Sequence, residues 1–265
     1  MFPPSLTLIV STYNNPTALK SILSRLAEGT RLPDQTIIAD DGSHDAIKSE
    51  ISNWDSTAKL DAHHCWHEDL GFRKNRILNI ALSQSTSDYV VFLDGDCLPH
   101  RSFIADHCKL AEKDCLVQGR RTFIPKKYVS KVLSHQLTIQ QLQRTFRLEG
   151  WFKSLRFPWP RIKKDQGFYG LLGCNLAAWR EDLIAINGFD EAYEGWGIGE
   201  DSDLGARLYN LGCHRKFVHG HAIVYHLNHP ELPKEHVPAS KARLQETIDS
   251  KRTRCERGLN QHTSS

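Results

Sequence analysis

The sequence predicts an α/β fold with a central, mostly parallel sheet flanked by helices, on three observations. Short apolar runs alternate with segments of helical period, and the early runs end in polar loops. The most apolar run, Tyr89 to Leu93, stops at two carboxylates, Asp94 and Asp96, separated only by Gly95.

Leu6 to Val10 reads as a buried strand, broken by Ser11-Thr12-Tyr13-Asn14-Asn15 before Pro16, a favoured first residue of a helix. Leu19, Ile22, Leu23 and Leu26 then recur on one helical face. Gln35 to Ala39 forms the second strand and ends in Asp40-Asp41-Gly42-Ser43, followed by a polar helical stretch to about Trp54. Ile77, Leu78, Ala81 and Leu82 mark another helix, whose first turns hold Arg73, Lys74 and Arg76. Cations there oppose the helix dipole, so a neighbouring anion is expected. Tyr89 to Leu93 has the composition of a strand covered on both faces. Asp94 and Asp96 fall where it leaves the sheet, the edge at which open α/β sheets bind ligands. A turn at Gly95 lets both acids converge on one hard cation. Ser102 is placed to cap a helix through Leu110.

Val129 to Leu148 has helical spacing, and Trp151 to Arg161 interleaves rings with cations around two prolines that exclude a regular helix. Between Arg120 and Lys164 stand twelve Lys and Arg against one acid, Glu149, although the whole chain carries only +3. Segment 120–164 is therefore expected to face something anionic: a membrane surface, a phosphorylated glycolipid or, ranked last for want of any accompanying motif, nucleic acid. A solvated hairpin with inward rings is the structural alternative. Further on, Gly188 reads as a helix stop, and Asp201 or Ser202 as the cap of a helix continued by Leu204, Arg207, Leu208 and Leu211. Glycines around Trp196 beside three acids suit a loop that closes on a polar ligand. Ala222 to Tyr225 is a late strand, and His226 and His229 after it suit a metal site with the upstream carboxylates. Ala239 to Arg257 is expected as a charged helical arm, with Gln261 to Ser265 frayed.

Composition narrows the function. No run approaches the roughly 20 apolar residues of a membrane span, and Met1-Phe2-Pro3-Pro4 lacks the start of a signal peptide, so the cytoplasm is expected. Seven cysteines without a Cys-x-x-Cys pair predict free thiols. The absence of Gly-x-Gly-x-x-Gly and of a Walker lysine argues against dinucleotide oxidoreductases and P-loop enzymes.

In this order, the Thr12-Tyr13-Asn14 loop, Asp40-Asp41-Gly42-Ser43, Gly71-Phe72-Arg73 to Asn79, Asp94-Gly95-Asp96, Asn187-Gly188-Phe189-Asp190 and Gly195-Trp196-Gly197 with Glu200-Asp201-Ser202-Asp203 resemble the bacterial family 2 inverting glycosyltransferases with a galactosyltransferase-like C-terminal region. The resemblance spans roughly Leu6 to Pro230. It implies a GT-A type, Rossmann-like fold: residues 1–119 as the nucleotide-sugar half, 120–167 as a basic and aromatic insertion, 168–232 as the acceptor and catalytic half, and 233–265 as a helical arm on one continuous domain. It implies that Thr12, Tyr13, Asp41, Arg73 and Asp94 hold a UDP-sugar donor. Asp96 and His226, with His229 as the fallback, would bind Mn²⁺ or Mg²⁺. Trp196 and Glu200 would bind a glycan or glycolipid acceptor, with Asp201 as the base. One departure stands out: Ile198-Gly199 places the Glu-Asp pair one residue farther from the Trp than is usual. Cell-surface polysaccharide or lipopolysaccharide synthesis is the expected setting, in the cytoplasm, free or peripheral at an inner membrane. A nucleotidyltransferase, or a carbohydrate-binding protein that keeps the fold without turnover, uses the same residue types.

Overall fold

The computed structural model describes residues 3–54, 60, 62–193, 195, 199–230 and 237–263. Its first half alternates as expected: β1 (Leu6–Thr12), α1 (Pro16–Ala27), β2 (Gln35–Asp40), α2 (Asp45–Ser52), β3 (Ala62–Trp66), α3 (Lys74–Ser83) and β4 (Tyr89–Asp94). Pro16 opens α1, and the Asn15 side chain accepts from the Ala18 N–H to cap it. Next come β5 (Cys97–Pro99), α4 (Phe103–Leu110), β6 (Cys115–Gln118), β7 (Arg120–Ile124), α5 (Lys126–Leu133), α6 (Ile139–Arg144) and β8 (Arg161–Asp165). The chain then forms β9 (Asn175–Trp179), α7 (Arg180–Ala185), α8 (Glu200–Asn210), β10 (His214–His219), β11 (Ile223–Leu227) and α9 (Val237–Ser250), with 3₁₀ turns at Trp151–Ser154 and Leu259–Gln261.

Eight strands form the large sheet in the order β3-β2-β1-β4-β9-β6-β10-β8, and β5-β11-β7 form a small one. β1 pairs in parallel with β2 and β4, while β9 runs antiparallel between β4 and β6. Alternate residues of each central strand feed opposite cores, as the two-residue pleat requires. Leu8, Val10 and Val91 pack with Leu19 and Ile22 of α1 on one face; Ile9, Val90 and Phe92 pack with Ile77 of α3 and Leu204 of α8 on the other. Segment 120–167 contributes to both sheets, since β7 pairs with β11 and β8 with β10. Among the described residues no helix is long and apolar enough to cross a membrane. All seven cysteines are free and buried.

Local expectations shift in four places. The helical spacing over 129–148 resolves into α5 and α6, because His135 between them takes a left-handed φ of 60° and Thr138 starts a fresh capping box with Gln141. Ser102 precedes α4 without a side-chain cap. Gly199, at φ 141°, precedes α8, so Asp201 lies in the first turn rather than at the cap. The C-terminal residues up to His262 are tied down: Leu259 is buried, and His262 Nε2 lies 2.6 Å from Glu191 Oε1.

α8 is anchored by charge. Arg207 Nε donates to Asp203 Oδ2 at 2.8 Å, Arg207 Nη1 donates to the carbonyls of Ile186 and Gly188 at 2.7 Å, and both side chains are fully buried. Thr247 Oγ1 on α9 donates to Asp203 Oδ1 at 2.6 Å. Removing one partner strands the other charge, so Arg207→Ala is expected to lower unfolding free energy by about 3–5 kcal/mol in denaturant titration; an unchanged midpoint would contradict the anchoring role.

Candidate active site

At the carboxyl edge of β1 and β4 the backbones nearly touch. A Cβ on Gly95 would lie 2.4 Å from the Ser11 carbonyl oxygen, so the turn between the two aspartates requires glycine. Ser11 Oγ donates to Asp94 Oδ1 at 3.0 Å, and Lys74 Nζ donates to the same oxygen at 2.6 Å. The expected anions beside the cationic start of α3 are therefore the protein's own: Asp94 for Lys74, and Glu191, at 3.5 Å, for Arg76. Arg73 lies beside the donor-side residues through its backbone. Its N–H donates to Asp41 Oδ2 at 3.1 Å, but its guanidinium turns to the Glu68 carbonyl, and the cleft lining passes from Phe72 to Lys74. Lys74 is the cation that sequence reasoning left out of the site; its signal was the same unfavourable charge at a helix start.

The cleft, about 800 Å³, brings together Thr12, Tyr13, Asp41, Asp94, Asp96, Glu200 and Asp201 from the two halves of the chain. Thr12 Oγ1 is buried and has no partner among the described residues. Tyr13 is half exposed and donates to Asp69 Oδ2 at 3.0 Å. Asp41 Oδ1 lies 2.8 Å from His67 Nε2, while Asp40 is turned inward to the Ser43 N–H and His64. Trp196 lies outside the described residues.

Strand register explains the second cluster. β11 pairs antiparallel with β5 so that His226 sits opposite Cys97, and the Leu227 N–H donates to the Asp96 carbonyl at 2.8 Å. His226 Nε2 and His229 Nε2 come to 3.3 and 3.0 Å from Asp96 Oδ2, and one ligand atom from each of the three residues falls within 4.8 Å of the others. His229 Nδ1 lies 2.8 Å from the Pro230 carbonyl, so Nδ1 carries a proton and Nε2 is the atom turned to Asp96. Without a metal, a protonated ring donates from Nε2 to the carboxylate; in the neutral Nδ1–H tautomer the Nε2 lone pair is free to bind a cation shared with Asp96. One carboxylate and two imidazoles suit a divalent first-row ion, and His226 and His229 both belong to the set. Burial works against the Asp96 charge, but the His229 hydrogen bond and His226 outweigh it and hold the carboxyl below its ordinary value. The Asp96 hydrogen bond lifts the His229 pKa to about 9, whereas burial lowers that of His226.

Across the cleft, Asp201 Oδ2 accepts from the Gly173 N–H at 2.7 Å. A Cβ on Gly173 would lie 2.1 Å from Asp201 Oδ1, so only glycine admits the carboxylate there. Burial raises the Asp201 pKa and Asp94 adds to it, while Lys74, the Gly173 N–H and Arg121 pull it down. Glu200 is raised to about 7, first by burial and then by Asp201. Burial opposes the Lys74 charge, yet Asp94, Asp201 and Glu200 together raise its pKa. Arg121 also lines the cleft from β7 and was not picked out from sequence. A partly buried carboxylate held up in pKa but kept ionisable by nearby cations is suited to accept a proton.

Residues 7–168 match the model of glycosyl transferase family 2, and residues 159–230 match that of the N-terminal domain of galactosyltransferase. The chain is 26% identical over 256 residues to chondroitin synthase of Pasteurella multocida (strain Pm70), covering 87% of this chain and 25% of that protein. It thus spans about a quarter of that relative's length. In fold it is similar to the mannosyltransferase PcManGT of Pyrobaculum calidifontis, solved with GDP-Man and Mn²⁺ (TM-score 0.57, 20% identity, 95% of this chain and 64% of that one). It is also similar to GalNAc-T7, solved with UDP, GalNAc and Mn²⁺ (TM-score 0.64, 13% identity, 92% of this chain and 48% of that one).

The three-residue cluster is checked by calorimetric titration with Mn²⁺. Asp96→Ala, His226→Ala and His229→Ala are each expected to weaken binding by at least the roughly 10–100-fold that loss of a ligand's supporting partner costs. Undiminished binding in His229→Ala would remove it from the set.

Proposed function

Because the chain belongs to glycosyl transferase family 2, we propose that it moves a hexose or N-acetylhexosamine from a UDP-sugar to a hydroxyl of a glycan or glycolipid, with inversion at the anomeric carbon. One observation carries this reading: Asp201, Asp96 and His229 line a single cleft reached from both halves of the chain, and His226 joins it through Asp96.

The roles follow from position. Thr12, Tyr13 and Asp41 lie along the sheet edge where the nucleoside of the donor would rest. Asp96, His226 and His229 would hold Mn²⁺, with Mg²⁺ as the alternative, and such an ion supplies countercharge to the diphosphate that leaves. Asp94, fixed by Ser11 and Lys74, faces the ribose or the ion. As the acceptor oxygen bonds to the anomeric carbon and the bond to the UDP oxygen breaks, Asp201 takes the acceptor's hydroxyl proton. The Gly173 N–H holds one oxygen of that carboxylate and so aims the other. Glu200 beside it can accept or donate a hydrogen bond to an acceptor hydroxyl, since its pKa of about 7 leaves both forms populated near neutrality. Galactose, glucose and their N-acetylated relatives are the donors to try, in that order. Assembly of a cell-surface polysaccharide or lipopolysaccharide, on the cytoplasmic side, is the proposed setting.

General-base action by a positioned carboxylate is worth about 10²–10⁴-fold, so Asp201→Asn is expected to lose that much kcat with UDP affinity unchanged. Unaltered turnover would remove Asp201 as the base. Incubation with a panel of UDP-sugars is expected to release UDP; pyrophosphate release from a nucleoside triphosphate, or binding without turnover, would overturn the transferase reading.

The pH profile of kcat/KM gives a separate check. The ionised form of Asp201 is active, and burial raises its pKa, so activity should fall with acid along a limb lying above the ordinary Asp value of about 3.9. Lys74 opposes that rise, so Lys74→Met should move the limb to higher pH. A limb unmoved by that substitution would contradict the coupling.

A further inference from the structure

The cleft has a neighbour that the transfer chemistry does not use. Five of the eleven large hydrophobic side chains exposed among the described residues fall within one short stretch: Phe146, Phe152, Phe157, Trp159 and Ile162. Phe152 is 63% and Trp159 80% exposed, so these rings stand out from the surface rather than cover a core. Cations are interleaved with them. Arg144, Arg147, Lys153 and Arg161 have no carboxylate within ion-pair reach among the described residues, and neither do Lys127 and Lys131 of α5. Ordinary solvated surface mixes the two signs of charge; here Glu149 is the single acid between Arg120 and Lys164.

This surface is built onto the lip of the cleft. Phe123 of β7 bridges Glu149 through two backbone hydrogen bonds, and Thr122 Oγ1 donates to the Glu149 carbonyl at 2.8 Å, fixing the aromatic stretch to the strand that carries Arg121. β7 leads directly into α5, where Val129 and Leu133, one turn apart, line the cleft. Lys127 and Lys131, also one turn apart, lie on a different side of the same helix and are exposed.

We propose that residues 144–163, together with the lysines of α5, seat the protein on an anionic bilayer surface and place the cleft lip at the lipid headgroups. Rings beside Lys and Arg match the chemistry of the membrane interface, where aromatic side chains rest at headgroup level and each nearby cation gains from anionic lipid. Individually protruding rings do not form the basic groove with stacked aromatic platforms that a single strand of nucleic acid needs. Seating of this kind would deliver a membrane-borne acceptor to the apolar wall made by Val129 and Leu133. It rests on that reading only in narrowing the proposed acceptor class to the lipid-linked one; its test needs no turnover and so fails or succeeds independently of the transferase reading.

The test is co-sedimentation of the intact chain with phosphatidylcholine vesicles, with and without about a quarter phosphatidylglycerol, at low and high salt. Binding is expected only with phosphatidylglycerol, weakened by salt and accompanied by a blue shift of tryptophan fluorescence. Lys153→Gln/Arg161→Gln should weaken it by about 30-fold at roughly fivefold per cation, and Trp159→Ser should abolish most of the blue shift, with both variants keeping the far-ultraviolet circular dichroism of the parent. Equal binding to neutral vesicles, no binding to either, or unchanged binding by the variants would overturn the proposal. Displacement from vesicles by a short oligonucleotide at lower concentration than lipid would assign the surface to nucleic acid instead, and would equally overturn it.

Discussion

The site depends on the pairing of β11 with β5. β5 is three residues long and begins one residue after Asp96, so the turn at Gly95 carries the chain out of the large sheet and into the small one. Antiparallel register then sets His226 opposite Cys97, and the chain leaving β11 returns His229 to the same carboxylate oxygen. A slip of one residue would send His226 to the opposite face of the strand. Buried neighbours hold the register: Tyr225 and Val224 of β11 face the core shared with α1 and α4.

Charge balance across the cleft follows from the same placement. Five carboxylates gather there, Asp41, Asp94, Asp96, Glu200 and Asp201, against two cations, Lys74 and Arg121, and the two imidazoles. Burial first, and neighbouring acids second, raise Glu200 and Asp201, while Asp94, Asp201 and Glu200 hold Lys74 charged. A divalent ion near Asp96 and a diphosphate beside it would enter this field as a nearly compensated pair, leaving the carboxylate farther from the ion free to work as a base. The helix that bears that base is itself pinned, through the buried Asp203 and Arg207 pair and through Thr247 of the C-terminal arm.

Much of this was legible in the chain because it is written locally. Apolar runs ending in polar loops announced β1, β2 and β4, and the carboxylates at their ends reached the predicted edge. The fold class stands, with GT-A glycosyltransferases among its structural neighbours. What escaped were quantities set by pairing between distant segments. Whether Arg73 or Lys74 enters the cleft depends on which residue ends the loop and which begins the helix, and the hydrogen bond from the Arg73 backbone to Asp41 decides it. The spacing of His226 and His229 pointed to both; that both reach Asp96 together follows from the bend of the chain after β11. The break between α5 and α6 rests on one left-handed residue, His135, that carries no glycine or proline signal. Arg121 lay in a basic run where nothing distinguished it until β7 paired with β11.

With Asp201 as the single proposed base, set apart from the residues proposed to hold the leaving diphosphate, the account requires one displacement rather than two. The stereochemistry of the new bond reports on that directly. Nuclear magnetic resonance of the product formed from an α-linked UDP-sugar should show a β linkage, as attack opposite the leaving group requires. An α linkage would contradict it and would place a nucleophile or a different geometry where Asp201 now stands.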